Sequence, residues 1–281
     1  MVGEYLSSGG ETPNIVNESE MGDLAMYEGY AQFYDLIYKD KDYAREARKV
    51  DSLIDQYLGS KTNVLDLGCG TGRHAIALAN FNYEVLGVDV SSNMIGIAKE
   101  RKNSAKDVTT KKVTFQLGDI RSLRINNYFG VVLSLFHVLC YQVEDADLHA
   151  AFKTISRHLK PNGLAIFDVW YGPAVRKDPP KEAIKRVQNA KTQLVRIAEP
   201  VVDHEKHLVN VKYQLFFRPN SVSHWSSICE DHRVRYLFDE EVRRLTREAY
   251  LEIIEVFDWD TGQSVTGDRW NVWYVCRKCD D

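Results

Sequence analysis

The chain has 281 residues, 44% hydrophobic and 27% charged, with a net charge of −4. That length and balance exclude a stapled mini-domain, a fibrous or wholly disordered chain, and a nonspecific nucleic-acid binder, which would need a basic footprint. Cysteines at 69, 140, 229, 276 and 279 form no disulfide framework, no apolar run approaches membrane-spanning length, and residues 1–25 carry no Lys or Arg for a signal-peptide n-region, so a soluble cytoplasmic protein without membrane association is expected.

Residues 1–25 are acidic and hold Gly9-Gly10 and Pro13, which predicts a mobile tail. From Met26 to Leu58 aromatic and apolar residues (Tyr27, Tyr30, Phe33, Tyr34, Ile37, Tyr38) recur at three- and four-residue spacing, the period of a helix. At Asn63 the period changes. Val64–Leu67 reads as a buried strand, a glycine turn follows, and then a helix around Ala75–Ala79. Glu84–Val90 is a second strand, Ser92 to about Lys102 a helix, Val113–Leu117 a third strand, and Tyr128–Phe136 a fourth, apolar as a strand covered on both faces should be. Asp145–Leu159 is a helix closed by Pro161-Asn162-Gly163, and Leu164–Trp170 is a fifth strand. This alternation predicts an α/β fold, a Rossmann-like, doubly wound, mostly parallel sheet of seven strands.

After Trp170 the alternation stops. Residues 176–196 are basic, and strand-like stretches at Gln193–Val202, His207–Phe217 and His224–Leu237 follow without a crossover helix, which predicts an antiparallel β insert. Asp239 is expected to cap a helix to about Tyr250, with Leu251–Trp259 and Trp270–Arg277 as a closing strand pair. The expected organisation is a tail at 1–25, helices and ligand-binding core at 26–175, the insert at 176–237 as acceptor cover or dimer contact, and the end of the core at 238–281.

The chemistry starts at Asp66-Leu67-Gly68-Cys69-Gly70-Thr71-Gly72. Glycines ending the first strand let backbone approach a ligand, and the next helix opens toward it with free N–H groups. Dinucleotide sites usually place glycines first, third and sixth; here they stand first, third and fifth, directly after the strand that holds Asp66. This spacing resembles motif I of the class I S-adenosylmethionine-dependent methyltransferases, and an NAD-dependent oxidoreductase is correspondingly disfavoured. Asp89, 17 residues beyond Gly72, ends the second strand where a carboxylate accepts ribose hydroxyls, with Val90 beside it. Met94 either lies against the adenine or packs the core. The resemblance further implies that Asp119 and Ile120 face the adenine, that backbone near Leu135 meets the methionine part of the cofactor, and that Gly68, Cys69 and Gly70 make backbone contacts.

Tyr34-Asp35-Leu36-Ile37-Tyr38 with Lys41-Asp42-Tyr43 is similar to the N-terminal segment of deoxysugar N,N-dimethyltransferases and of methyltransferases associated with surface polysaccharide. The resemblance implies an N-terminal helix over the cofactor and a small polar acceptor, first an amino sugar or other nucleotide-linked sugar. The alternatives are a glycine- or sarcosine-type N-methyltransferase, a small-molecule O-methyltransferase, and a catalytically silent cofactor-binding protein that uses the insert to hold a partner. Candidate catalytic residues are Tyr34, which bonds the acceptor or the cofactor carboxylate; His137, past the fourth strand, as a base or simple lining; and Tyr141, which stands where the deoxysugar enzymes align a histidine. Arg176, Lys177, Lys185 and Arg186 either clamp a diphosphate or form a solvated loop. Neither Cys276/Cys279 nor Asp203–His207 makes a convincing metal set, so no metal is expected; a homodimer is.

Overall fold

Two sheets carry the architecture of the computed structural model, which describes residues 29–105 and 111–279. The acidic tail expected over 1–25 lies outside the described residues. The larger sheet has seven strands: β1 (Asn63–Leu67), β2 (Glu84–Asp89), β3 (Val113–Leu117), β4 (Phe129–Ser134), β5 (Leu159–Trp170), β10 (Leu251–Asp258) and β11 (Asn271–Lys278). Their spatial order is β10-β11-β5-β4-β1-β2-β3, with β1 to β5 parallel and both β11 and β10 antiparallel to their neighbours. The expected Rossmann-like fold of seven strands is therefore the observed one.

Strands covered on both faces split their side chains between two cores. Leu65 and Leu67 of β1 pack on the side of α5 (Asp145–His158) and α7 (Asp239–Glu248). Val64 packs on the other side, beneath α2 (Tyr43–Leu58), α3 (Arg73–Ala79) and α4 (Ser92–Ser104). Local chemistry sets the helix ends: Asp42 accepts from Arg45 N at 2.8 Å to start α2, and Gly59 ends it in the left-handed region at φ 68°. For α7 the cap is Phe238, without a side-chain bond, and not Asp239. Asp239 instead opens the first turn, where its charge suits the helix dipole, and accepts from Arg243 Nε at 2.6 Å and Tyr274 Oη at 3.2 Å.

The insert follows β5, as expected, after the short α6 (Gly172–Lys177). It is a four-stranded antiparallel meander of β6 (Ala183–Gln188), β7 (Thr192–Asp203), β8 (Leu208–Pro219) and β9 (Ser226–Arg235). The fourth strand, β6, was not among the expected three; the basic run contains it. Backbone bonds from Leu237 N to Trp170 O (2.9 Å) and Gly172 N to Leu237 O (2.8 Å) tie both ends of the insert to the carboxyl end of β5. The polar turn Asp203–His207 joins β7 to β8, with Asp203 accepting from Lys206 N at 3.0 Å.

Helix α1 (Ala31–Ile37) joins the two layers. Tyr30, Phe33 and Ile37, spaced as one helix face, are buried with Val187, Leu194 and Leu215 of the insert, and the Phe33 and Phe217 rings are 4.6 Å apart. Phe33→Ala is expected to cost about 3 kcal/mol in urea unfolding, as for other buried aromatic truncations. A loss below about 1 kcal/mol would mean that α1 does not hold the insert.

Candidate cofactor and acceptor site

The strand order reverses between β1 and β4, and open α/β sheets bind ligands at such a switch point, beyond the carboxyl ends. At the end of β1, Gly68 has φ +74° and a Cβ there would meet Val138 Cγ1 at 2.4 Å, so the turn packs only as glycine. Gly70 has φ +53° and nothing within 4 Å of an added Cβ; it faces open space, which is where a ligand can touch backbone. Cys69 between them is buried, and burial pushes its thiol well above its ordinary pKa, so it is no thiolate nucleophile.

Asp89, at the end of β2, bends back to this turn: Oδ2 accepts from Gly70 N at 2.8 Å and Oδ1 from Ser91 N at 2.9 Å. These bonds aim the carboxylate while leaving each oxygen a lone pair for a hydroxyl. Val90 beside it is 37% exposed, whereas Met94 is 3% exposed and packs in the core. Beyond β3, Ile120 is buried, and Asp119 is held by Arg121 through Nε (3.0 Å) and NH2 (2.6 Å). Burial opposes the Asp119 charge, but Arg121 holds its pKa below the usual value. Leu135, past β4, is buried. Asp66 is 1% exposed with Oδ2 lacking any hydrogen-bond partner, and burial raises its pKa to about 6. A buried, unanswered acceptor beside open glycine backbone is what a bound ligand with donors would complete.

On the other side of the switch point the backbone is strained. Phe136 (φ 71°) and His137 (φ 65°) are successive left-handed residues, held because His137 N donates to both oxygens of Asp168 at 3.1 and 3.2 Å. His137 Nδ1 stands 2.9 Å from Asp168 Oδ2, and Asp168 is 1% exposed. Nδ1 is not aligned for a hydrogen bond to that carboxylate, so it is the backbone N–H, and not the ring, that bonds His137 to Asp168. Tyr34 is on α1, with its ring 4.8 Å from Tyr38 and 6.5 Å from Phe136. Burial raises the pKa of its hydroxyl, so it stays protonated. Tyr141 ends the short 3-10 turn Val138–Tyr141, and its Oη lies 3.1 Å from His232 Nδ1.

Several of these partners were missed in the sequence. Asp168 is the lone acid in the apolar run of β5, as Asp66 is in β1, and that contrast was a usable signal. Glu230 and His232 alternate along β9, and the register sets them on the face shared by Lys185, Arg196 and Tyr213, opposite α1. Asp35 ties α1 to the glycine turn, accepting from Thr71 Oγ1 and Arg73 Nε, both at 2.9 Å, and from Arg101 NH2. Glu46, on the apolar face of α2, meets His74 Nε2 at 2.5 Å and also Lys41; burial opposes its charge, yet these two hold its pKa down to about 2. The basic residues do not assemble as one clamp: Arg176 bonds His207 (3.2 Å) and Lys177 bonds Asp268 (2.5 Å), while Arg186 is exposed and only Lys185 joins the inner face.

Residues 64–163 match a family described as a methyltransferase domain. The dTDP-3-amino-3,6-dideoxy-alpha-D-glucopyranose N,N-dimethyltransferase of Streptomyces fradiae is 27% identical over 235 residues, 83% of this chain and 88% of that one. A sugar N-methyltransferase structure from Streptoalloteichus superposes with a TM-score of 0.74 at 21% identity, covering 99% of this chain and 100% of that one. An S-adenosylmethionine-dependent methyltransferase structure from Clostridium acetobutylicum gives 0.74 at 22% identity, covering 90% and 99%. The chain carries a methyltransferase domain, and S-adenosylmethionine is its cofactor. The open Gly70 backbone, the aimed Asp89 carboxylate and the unanswered Asp66 oxygen fit that group.

Asp89→Ala is expected to weaken S-adenosylhomocysteine binding by roughly 1.5–3 kcal/mol in calorimetry, the worth of hydrogen bonds to a charged group. Unchanged affinity would remove Asp89 from the site. Because the folded pKa of Asp66 lies near 6, above its ordinary 3.8, the ligand-free fold binds a proton more tightly than the unfolded chain. Its contribution to stability is present below pH 3.8 and is lost as pH rises through about 6. Urea titrations should show this decline flattened in Asp66→Asn; an unaltered slope would refute the assignment.

Proposed function

We propose that this S-adenosylmethionine-dependent methyltransferase methylates the amine of a nucleotide-linked amino sugar. The observation that carries the reading is the cleft of about 410 Å³ at the carboxyl end of the sheet. Tyr38, Phe136 and Trp259 offer it aromatic faces, and Lys41, Arg45 and Lys185 line it together with Asp40, Asp42 and Glu46, a mixed polar and aromatic lining that suits a sugar. The Streptomyces fradiae relative, named for a dTDP-linked amino sugar, supports the same acceptor class.

In this reading Asp89 takes the ribose hydroxyls, Gly68, Cys69 and Gly70 present backbone, and Asp66 lies below the turn. Val90 and Ile120 wall the adenine, Met94 stays in the core, Asp119 meets the adenine's polar edge, and Leu135 and Tyr34 stand near the methionine end. The cofactor, when bound, supplies an electrophilic methyl group on a sulfonium. The protein's task is then to align a nucleophile, exclude water and manage one proton. An amino group attacks only when neutral. His137, held at Asp168 through its backbone N–H, receives that proton on its ring. The insert covers the acceptor from its inner face; its outer face, with Ile184 and Val201 exposed, is the proposed homodimer contact, and the proposed setting is cytoplasmic. No helix of the described residues is long and apolar enough to cross a membrane.

A second reading, methylation of a hydroxyl, is favoured by the same His137–Asp168 pair, since an alcohol needs a positioned base. Mass spectrometry after incubation with S-adenosylmethionine separates the two. dTDP-3-amino-3,6-dideoxyglucose should gain one or two methyl groups, and methylation of the 3-hydroxy analogue alone would overturn the amine reading. His137→Ala should lower kcat about 100-fold, the usual worth of a general base, with S-adenosylhomocysteine affinity unchanged. Equal loss of both would place His137 against the cofactor instead.

A further inference from the structure

We infer that Lys185, with the charge of Arg196 behind it, is the site that takes a phosphate group of the nucleotide carrying the acceptor sugar. Lys185 on β6 and Arg196 on β7 stand directly opposite each other in the strand register, on the insert face turned to α1. Like charges at such a pair repel, so the arrangement is unfavourable until something negative comes beside it. Among the described residues, neither cation forms an ion pair with a carboxylate. Arg196 NH1 donates to Tyr30 Oη at 3.3 Å and Tyr38 Oη at 3.4 Å, and its guanidinium carbon lies 5.1 Å from the centre of the Tyr213 ring. Its Nε is buried with no acceptor. Burial keeps the Tyr30 and Tyr213 hydroxyls protonated, so these two phenols answer the cation only as neutral dipoles. Lys185 Nζ has the Tyr38 ring for company, 5.9 Å from its centre. A half-buried cation left without a counter-charge is costly, and a bound anion removes that cost.

The place of the pair relative to the cleft is fixed by Tyr38. Lys185 and Tyr38 both line the cleft beside Phe136, and Arg196 stands behind that wall, joined to the Tyr38 hydroxyl. The acids of the same cleft do not answer these charges. Asp42 accepts from Arg45 N at 2.8 Å, Glu46 is met by Lys41 and His74, and Asp40 is exposed to solvent. Glu230 shares the insert face but stands on β9, with β8 between, and accepts from Tyr30 N at 2.7 Å. Two unanswered positive charges match a group that carries more than one negative charge, which a phosphate or diphosphate does and a single carboxylate does not. In this arrangement Lys185 touches the anion, while Arg196 is a positioning residue that acts through its charge across Tyr38. The inference rests on the nucleotide-linked acceptor proposed above, and its test separates the two.

Calorimetry on the full chain, with S-adenosylhomocysteine bound, compares dTDP and inorganic pyrophosphate as ligands of the wild type, Lys185→Gln, Arg196→Gln and Arg196→Lys. Both anions should bind the wild type, and their affinities should fall about tenfold in Lys185→Gln and in Arg196→Gln, the usual worth of one charge-assisted contact. Arg196→Lys keeps the charge and should stay within about threefold of the wild type, because a point charge suffices at that distance. Added salt should weaken dTDP binding less steeply in the two Gln variants than in the wild type. S-adenosylhomocysteine affinity should not move, and ligand-free Arg196→Gln should melt no lower than the wild type, since it loses an unanswered charge. A wild type that binds neither anion, Gln variants that bind both as well as the wild type does, or Arg196→Lys as weak as Arg196→Gln would overturn the inference. Loss of S-adenosylhomocysteine affinity in place of anion affinity would also overturn it, by giving the charges to the cofactor carboxylate. None of these measurements needs methyl transfer. Charge-dependent dTDP binding by a wild type that leaves dTDP-3-amino-3,6-dideoxyglucose unmethylated would sink the amine reading alone.

Discussion

The Asp35 carboxylate is the constraint on which the site depends. It collects Thr71, Arg73 and Arg101 from the glycine turn, α3 and α4, and so pins α1 to the motif that opens the core. The opposite face of α1 buries Tyr30 and Phe33 in the insert. One charge cluster and one apolar seam on a seven-residue helix thus join two sheets that also meet through the backbone ties at the end of β5, the Tyr141–His232 bond and the pairs of Arg235 with Asp145 and Glu241. Such a short helix would be marginal alone, and tertiary contacts supply its stability. The charges are only partly exposed, with Arg101 and Asp35 at 26% and 29%, a setting in which pairing outweighs solvent screening more than at an open surface.

The division of labour between the sheets follows from their covering. The parallel core is apolar on both faces and can offer chemistry only at its ends, which is where Asp66, Asp89 and Asp168 stand. The insert is a meander with one face turned to α1, so it can present polar side chains along the length of its strands. Lys185, Arg196, Tyr213, Glu230 and His232 occupy that face. In the proposed reading the core supplies general cofactor geometry and the insert the surroundings of the acceptor, a partition that lets one change while the other is kept.

Much of this was legible in the sequence, and the parts that were not share a cause. Val113–Leu117 was placed to the residue, because switching between periods of two and three to four marks parallel strands and their helices clearly. Strand β6 was hidden because it is a short, largely exposed edge strand whose Lys185 and Arg186 break the apolar alternation; charge on an edge is how sheets discourage further pairing. The glycine turn, Asp89 and His137 were readable as positions along one stretch of chain. The partners Asp35, Glu230 and His232 were not, since each acts across a register or a tertiary contact that no local spacing encodes; Asp168, the lone acid in the apolar run of β5, left a signal that went unread. The basic run looked like one feature in sequence, yet the fold sends Arg176 and Lys177 to different neighbours from Lys185.

The paired left-handed residues at the end of β4 carry a consequence for how this protein tolerates change. Each such residue costs about 1–2 kcal/mol relative to an ordinary conformation, and glycine or asparagine would relieve part of it. At position 137 that relief would remove the imidazole that the strained turn holds against Asp168. If His137 is the base proposed above, random variation selected only for thermal robustness would drift toward an inert protein here, and consensus stabilisation schemes would have to leave Phe136 and His137 untouched. On that reading, strained backbone at the end of β4 is kept by selection for catalysis and not by selection for stability.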